Sequence, residues 1–261
     1  MKLKIFQIDA FAAKVFQGNP AAVVPLASWL DDKLLQQVAM ENNLSETAFF
    51  VEKDGVFEIR WFTPTMEVDL CGHATLASAH VLFEELKYSN SQIEFYSPRS
   101  GKLTVGKSNG SYTMNFPCDK VKEIELTDDL LACFNPYPSQ AFRGSSDFVL
   151  VFDKEEHITE IQIDFKQIAS LDARGVIITA AGKDVDFVSR FFGPQVGVPE
   201  DPVTGSAHTT LTPIWADKLG KKKMKAYQAS SRGGHITCEL LGDRILLSGK
   251  AVTFLRGEIE I

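Results

Sequence analysis

The sequence predicts an α+β protein made of two copies of one domain, and three observations carry that prediction. Two polar turns recur, each holding one glycine that opens into a helix. They are Val68-Asp69-Leu70-Cys71-Gly72-His73-Ala74-Thr75 and Glu200-Asp201-Pro202-Val203-Thr204-Gly205-Ser206-Ala207-His208. The surrounding residues repeat in register: Gly72 and Gly205 lie 133 residues apart, as do Ser97 and Ser230, Arg99 and Arg232, and Gly101 and Gly234. Upstream, Arg60-Trp61-Phe62-Thr63-Pro64 matches Arg190-Phe191-Phe192-Gly193-Pro194 at an offset of 130, so the second copy carries three extra residues before its glycine. A period this long excludes a solenoid and fits a duplicated domain.

Length and composition bound the rest. The chain has 261 residues, 44% hydrophobic and 23% charged, the balance of an ordinary globular protein. A net charge of -7 and a pI near 5.3 argue against nucleic acid as a partner, since a phosphate backbone selects a basic surface. The one dense basic run, Lys221-Lys222-Lys223, follows Gly220 and reads as a solvated loop. No stretch of about 18 apolar residues exists, so no membrane partner is expected, and the alternating start Met1-Lys2-Leu3-Lys4-Ile5-Phe6 lacks the apolar core of a signal peptide. Cys71, Cys118, Cys133 and Cys238 are scattered without a CxxC pair, which points away from a metal or disulfide framework and toward the cytoplasm.

The elements follow in order. Residues 3–10 alternate as a strand, Phe16-Gln17-Gly18-Asn19-Pro20 reads as a turn, and Ala21 to Pro25 as a second strand. Leu30 to Met40 has helical spacing, with Asp31 and Asp32 at its start and Asn42-Asn43 at its end. A strand runs from Thr47 with Glu46 at its entry. Lys53-Asp54-Gly55 turns it into a return strand, Phe57 to Phe62. Ala74 to Leu86 is a helix rich in small residues, suited to close packing at the centre of a domain. Strands near 92–96, 101–106 and 111–116 complete the first copy. In the second, strands are expected at 148–152, 175–180, 187–192, 225–229, 234–240, 244–249 and 253–261. Helices are expected at 165–170 and 207–219. The domains are placed at 1–116 and 117–261, with the last strand a candidate to return to the first. Antiparallel strands plus one long helix per copy define α+β rather than an alternating parallel sheet. No GxGxxG, GxxxxGK[ST] or GxSxG occurs, which removes the dinucleotide, P-loop and α/β-hydrolase readings.

Several residues are candidates for chemistry. Glu46 sits among Leu44, Ala48 and Phe49, where partial desolvation would raise a carboxylate's pKa and make it a general base. Asp69 precedes the first helix as a candidate cap. Cys71 stands one residue before Gly72, where a helix start lowers a thiol's pKa. Its counterpart in register is Thr204, so a site with two thiols is not available. His73 opens the first helix, where the dipole favours a neutral imidazole. Ser206 is its positional partner, suited to capping or to holding a carboxylate. Asp201 is a turn residue that could partner His73. His80, His208 and His235 have no such context. No cluster has metal-ligand spacing in the sequence, and neither metal nor cofactor is expected.

Taken together, Gly18-Asn19-Pro20-Ala21, Asn43-Leu44-Ser45-Glu46-Thr47, Cys71-Gly72-His73-Ala74-Thr75 and Asp201-Pro202-Val203-Thr204-Gly205-Ser206-Ala207-His208 resemble the PhzF-like family of phenazine biosynthesis, over nearly the whole chain. The resemblance implies two domains of the diaminopimelate-epimerase fold, each a sheet curled around a central helix, with the active site in the cleft between them. It also implies a homodimer. The best-understood member isomerises trans-2,3-dihydro-3-hydroxyanthranilate by moving a proton without a cofactor. By resemblance, Glu46 matches the acid/base. His73, Asp201 and Ser206 match substrate-binding residues, with Gly72 and Gly205 supplying backbone donors. Related epimerases carry a catalytic cysteine in each turn; this chain keeps one only, at Cys71, which departs from the phenazine enzyme as well. The expected reaction is a cofactor-independent isomerisation of a small anionic substrate, unsaturated or amino-acid-like. A racemase using Glu46 and Cys71 as unlike bases is one alternative, and a non-catalytic small-molecule-binding protein is another.

Overall fold

The computed structural model describes residues 1–261 and divides into two compact units, Met1–Asn115 with Ser248–Ile261, and Phe116–Leu247. The first unit begins with β1 (Lys2–Ala10), β2 (Asn19–Leu26), α1 (Asp32–Asn42), β3 (Glu46–Lys53), β4 (Val56–Phe62) and β5 (Glu67–Val68). It continues with α2 (Gly72–His80), β6 (Gln92–Ser97), β7 (Gly101–Ser108) and β8 (Ser111–Pro117). The second holds β9 (Lys122–Ile124), α3 (Asp128–Ala132), β10 (Gln140–Arg143), β11 (Asp147–Val151), α4 (Glu156–Thr159), α5 (Phe165–Ala169), β12 (Gly175–Ala181), β13 (Phe187–Gly193) and β14 (Val198–Asp201). It closes with α6 (Gly205–Leu219), β15 (Lys223–Gln228), β16 (Gly234–Leu241) and β17 (Arg244–Gly249). The last strand, β18 (Ala251–Glu260), pairs antiparallel with β1 in the first unit.

The sheets are mixed rather than wholly antiparallel. In the first unit β2 runs parallel to β3 and β4 parallel to β6; in the second β11 runs parallel to β12 and β13 to β15. Helical segments lie between the partners of every one of these pairs, because parallel neighbours need a crossover connection. Each unit therefore contains two β-α-β crossovers within a mostly antiparallel α+β sheet, a feature that strand counting along the sequence did not show.

The duplication is visible in the side chains. Arg60 grips Glu67 with Nε at 2.7 Å and Nη2 at 2.9 Å, and its guanidinium lies 5.1 Å from the Phe62 ring. Arg190 grips Glu200 at 2.7 and 3.0 Å and lies 4.9 Å from the Phe192 ring. The pairs are offset by 130 at the arginine and 133 at the glutamate, so the three extra residues fall between them, where the 3-10 turn Pro194–Val196 stands. Likewise Ser97 Oγ accepts from the Arg99 and Ser100 backbone, and Ser230 Oγ from Gly233.

Local chemistry fixes the helices. Asp31 caps α1 by accepting from Lys33 N, and Asn43 closes it in the left-handed conformation at φ 48°. The buried stripe Leu35, Val38 and Ala39 packs on Val24, Leu26, Phe49, Val51 and Phe62. In α2 every residue from His73 to His80 is buried, which its small side chains permit. It then widens into a π turn at Val81–Glu85, closed by Leu86 N on Val81 O at 2.9 Å. In α6, Pro213 has no N–H for the Thr209 carbonyl, and that carbonyl accepts from Asp119 N instead. The second unit's outer core is aliphatic and aromatic, built on Leu150, Phe152, Ile178, Val188 and Phe192.

Candidate active site

Glu46 is the first residue of β3, beside β2 with Ala21 opposite it. Cys71 is the N-cap of α2 and makes no capping bond with its side chain; Gly72 and His73 are the first helical residues. These elements bring three side chains together. Glu46 Oε2 lies 3.1 Å from His73 Nε2, with the two side chains 17% and 6% exposed. The two atoms approach as an ion pair, and both are buried and hydrogen-bonded to no protein group. The other ring nitrogen, Nδ1, lies 3.5 Å from Cys71 Sγ and 3.2 Å from Asn19 Nδ2.

The electrostatics of this cluster differ from the expectation at two residues. Burial pushes the Cys71 thiol up, and the Glu46 carboxylate adds to it, to about 11. The helix start does not lower it, because a fully buried thiolate beside a carboxylate is disfavoured more strongly than the dipole favours it. Burial also works against a charged His73. The Cys71 sulfur and the Glu46 carboxylate outweigh burial and hold its pKa well above 6.5. Since Cys71 is a thiol at neutral pH, the charge that keeps the His73 proton is that of Glu46. The dipole's preference for a neutral imidazole is thus opposed by the group facing it from β3.

The three side chains are drawn together more tightly than their places in the sequence suggest. One ligand atom each from Glu46, Cys71 and His73 lies within 4.8 Å of the others. Sequence spacing could not reveal it, because Glu46 reaches the group from a different element. Glu46 and Cys71 approach opposite ring nitrogens, so one ion could not use both contacts as they stand.

The second unit gathers the other candidates around the start of α6. Gly205 is its first residue and is buried; Thr204, not Ser206, is the N-cap. Thr204 Oγ1 donates to Asp201 Oδ2, and Gln228 holds the turn by accepting from Thr204 N and donating to the Asp201 carbonyl. Ser206 is exposed and its Oγ accepts from Arg174 Nη2 at 3.0 Å. Arg174 is anchored on both oxygens of the buried Asp147. Sequence reasoning missed Asn19, Arg174, Asp147 and Gln228. Asn19 was visible only as part of a turn and of the Gly18-Asn19-Pro20-Ala21 motif, with no role given to it, and the other three carried no local signal. Asp69, read as a cap, is exposed and pairs with Arg99 at 3.0 Å. His80 and His208 are buried, and His235 lies 4.7 Å from the Tyr227 ring. No helix is long and apolar enough to cross a membrane.

Comparison with known proteins agrees with this architecture. The profile of the phenazine biosynthesis-like (PhzC-PhzF) proteins matches residues 8–257. An uncharacterized isomerase of Pseudomonas aeruginosa is 48% identical over 261 residues, covering 100% of both chains. The human phenazine biosynthesis-like domain-containing protein is 37% identical over 291 residues, covering 99% of each. The crystal structure of a PhzF-family protein from Enterococcus faecalis superposes with a TM-score of 0.97 at 43% identity over 100% of both chains. A hydroxyproline epimerase from Agrobacterium vitis shares the fold alone, with a TM-score of 0.66 at 10% identity over 99% of this chain and 91% of its own. The fold is that of the diaminopimelate-epimerase type, and the chain belongs to the PhzC-PhzF family. Its function is of the isomerase/epimerase type.

Proposed function

We propose that the protein is a cofactor-independent isomerase in which Glu46 takes a proton from one carbon of a small anionic substrate and returns it at another. The observation that carries this reading is the facing pair Glu46 Oε2 and His73 Nε2, buried 3.1 Å apart and without hydrogen bonds to protein. A buried polar atom without a hydrogen bond costs about 1–3 kcal/mol, a cost that persists where the group is needed for a ligand. The carboxylate abstracts a proton next to an unsaturated or carbonyl-bearing system, and the electron pair left behind moves into that system. The same carboxyl then delivers the proton to the far end, so atoms and charge balance and the enzyme is regenerated. His73 faces the carboxyl and can donate from Nε2. Gly72 and Gly205 offer free backbone N–H groups at their helix starts, and Ser206 and Asp201 add side-chain contacts to the substrate's polar groups.

The test is proton NMR in D2O, with trans-2,3-dihydro-3-hydroxyanthranilate and a panel of unsaturated and amino-acid carboxylates. Deuterium entering one carbon with the wild type and not with folded Glu46→Gln supports the reading and identifies the substrate class. Full exchange by Glu46→Gln would overturn it. A second reading, racemisation with Glu46 and Cys71 as unlike bases, is favoured by the placement of Cys71 Sγ on the same ring as Glu46. Its thiol, pushed up to about 11, is poorly suited to accept a proton at neutral pH but is able to donate one.

A further inference from the structure

The Gly18-Asn19-Pro20 motif reads in sequence as a turn, and the structure puts it to another use. Gly18 is left-handed at φ +66°, and a Cβ there would sit 2.0 Å from the Ala10 carbonyl oxygen, so no other residue fits. Asn19 is consequently delivered as the first residue of β2, opposite Ala10, with none of it exposed. Its amide nitrogen lies 3.2 Å from His73 Nδ1, and its amide oxygen accepts from Ser45 Oγ at 3.4 Å. Ser45 immediately precedes Glu46. The four residues thus form a closed circuit: Ser45 to Asn19, Asn19 to His73, His73 to Glu46, and Glu46 back to Ser45 along the chain.

We propose that Asn19 is a positioning residue of this site: its amide holds His73 Nδ1 in both protonation states of the ring, so that Nε2 always faces Glu46. The proposal rests on the reading of Glu46 and His73 as the reacting pair. A primary amide has one donor end and one acceptor end, and a serine hydroxyl can serve as either. With a neutral ring, the amide nitrogen donates to Nδ1 while Ser45 donates to the amide oxygen, as the atoms stand. With a protonated ring, Nδ1 carries hydrogen and needs an acceptor. A half-turn of the amide supplies the oxygen, and the nitrogen then donates to Ser45 Oγ. Both arrangements satisfy the ring's Nδ1 and leave the ring's orientation unchanged. The site can therefore gain and lose a proton without moving the imidazole. The other groups facing the ring are Glu46, on Nε2, and Cys71, whose sulfur lies 3.5 Å from Nδ1.

Aspartate at position 19 can only accept, and leucine can do neither. The experiment follows the His73 ring by long-range proton–nitrogen NMR across pH, in the wild type, Asn19→Asp and Asn19→Leu, without substrate. Asn19→Asp is expected to raise the His73 midpoint by a pH unit or more, a tenfold or greater gain in proton affinity. Asn19→Leu is expected to lower it, because bonds to the charged ring are the stronger ones. Ser45→Ala removes only the far end of the circuit and should move the midpoint in the direction of the leucine variant by a smaller amount. It serves if a position-19 variant does not fold. Midpoints unmoved in the variants that fold would overturn the proposal, as would equal shifts for aspartate and leucine. Loss of exchange in Glu46→Gln with unmoved His73 midpoints would sink this inference alone. Moved midpoints with full exchange in Glu46→Gln would sink the functional reading alone.

Discussion

Glu46, His73 and Cys71 show how far a residue's neighbours in space can reverse what its neighbours in sequence suggest. A helix start by itself favours a thiolate and a neutral imidazole. Here a half-buried carboxylate 3.1 Å from the ring favours the imidazolium and disfavours the thiolate. Removal of the Glu46 acid/base function should lower turnover by about 10²–10⁴-fold, as for other general acid–base groups, measured on whichever substrate shows exchange. Cys71→Ser tests the runner-up. Under the isomerase reading it keeps turnover within about tenfold, whereas under racemisation it falls with Glu46→Gln. Ser206 is exposed and its hydroxyl pairs with Arg174, so Ser206→Ala should raise KM by roughly tenfold, one hydrogen bond's worth, and leave kcat nearly unchanged.

At the scale of elements, the two central helices are alike in origin and different in detail. Both open on a glycine after a residue whose side chain makes no cap bond. Yet α2 ends in a π turn, while α6 absorbs a proline. His208 gives α6 a measurable acid sensitivity. It is fully buried, donates from Nδ1 to the Thr204 carbonyl at 2.8 Å, and stacks on Phe187. Burial lowers its pKa from 6.5 to about 4, so the unfolded chain binds this proton more readily than the folded one. The stability it confers is complete above pH 6.5 and is lost as pH falls toward 4. That loss amounts to about 3 kcal/mol for a shift of this size. Urea unfolding at pH 7.5 and 4.5 should show a smaller loss in His208→Gln than in the wild type. Identical losses would remove His208 from the account.

At the scale of the whole molecule, the first unit is discontinuous in sequence and the second is not. Strand β18 pairs with β1 along its length, from Lys2 opposite Glu260 to Ala10 opposite Ala251. A fragment of residues 1–115 lacks that partner and exposes one edge of β1 over nine residues. A fragment of residues 116–247 keeps its whole contact unit. Dispersed amide NMR spectra are therefore expected from the second fragment and not from the first. A well-dispersed spectrum from residues 1–115 would show that β18 is dispensable to the first unit. The matched Arg60–Glu67 and Arg190–Glu200 pairs explain why the repeat was legible at all, since each strand pair carries the same half-buried cation and partner.

Periodicity and turn chemistry along the chain determined the first helix, read at Leu30 to Met40 and observed at Asp32–Asn42, the central helices, most strands, the duplication and Glu46 at its strand entry. These features are set by residues within a few positions of one another. Short elements such as β9, α3, β10, α4 and β14 escaped, because three to five residues carry too little pattern. The parallel pairings also escaped, since strand direction depends on which crossovers pack against the sheet. Only the tertiary structure decided that Asn19, Ser45, Cys71, His73 and Glu46 share one site, and only it decided which groups face the His73 ring. Burial and the field of a carboxylate from another strand are properties of proximity in space, and nothing in the spacing of these residues along the chain encodes them.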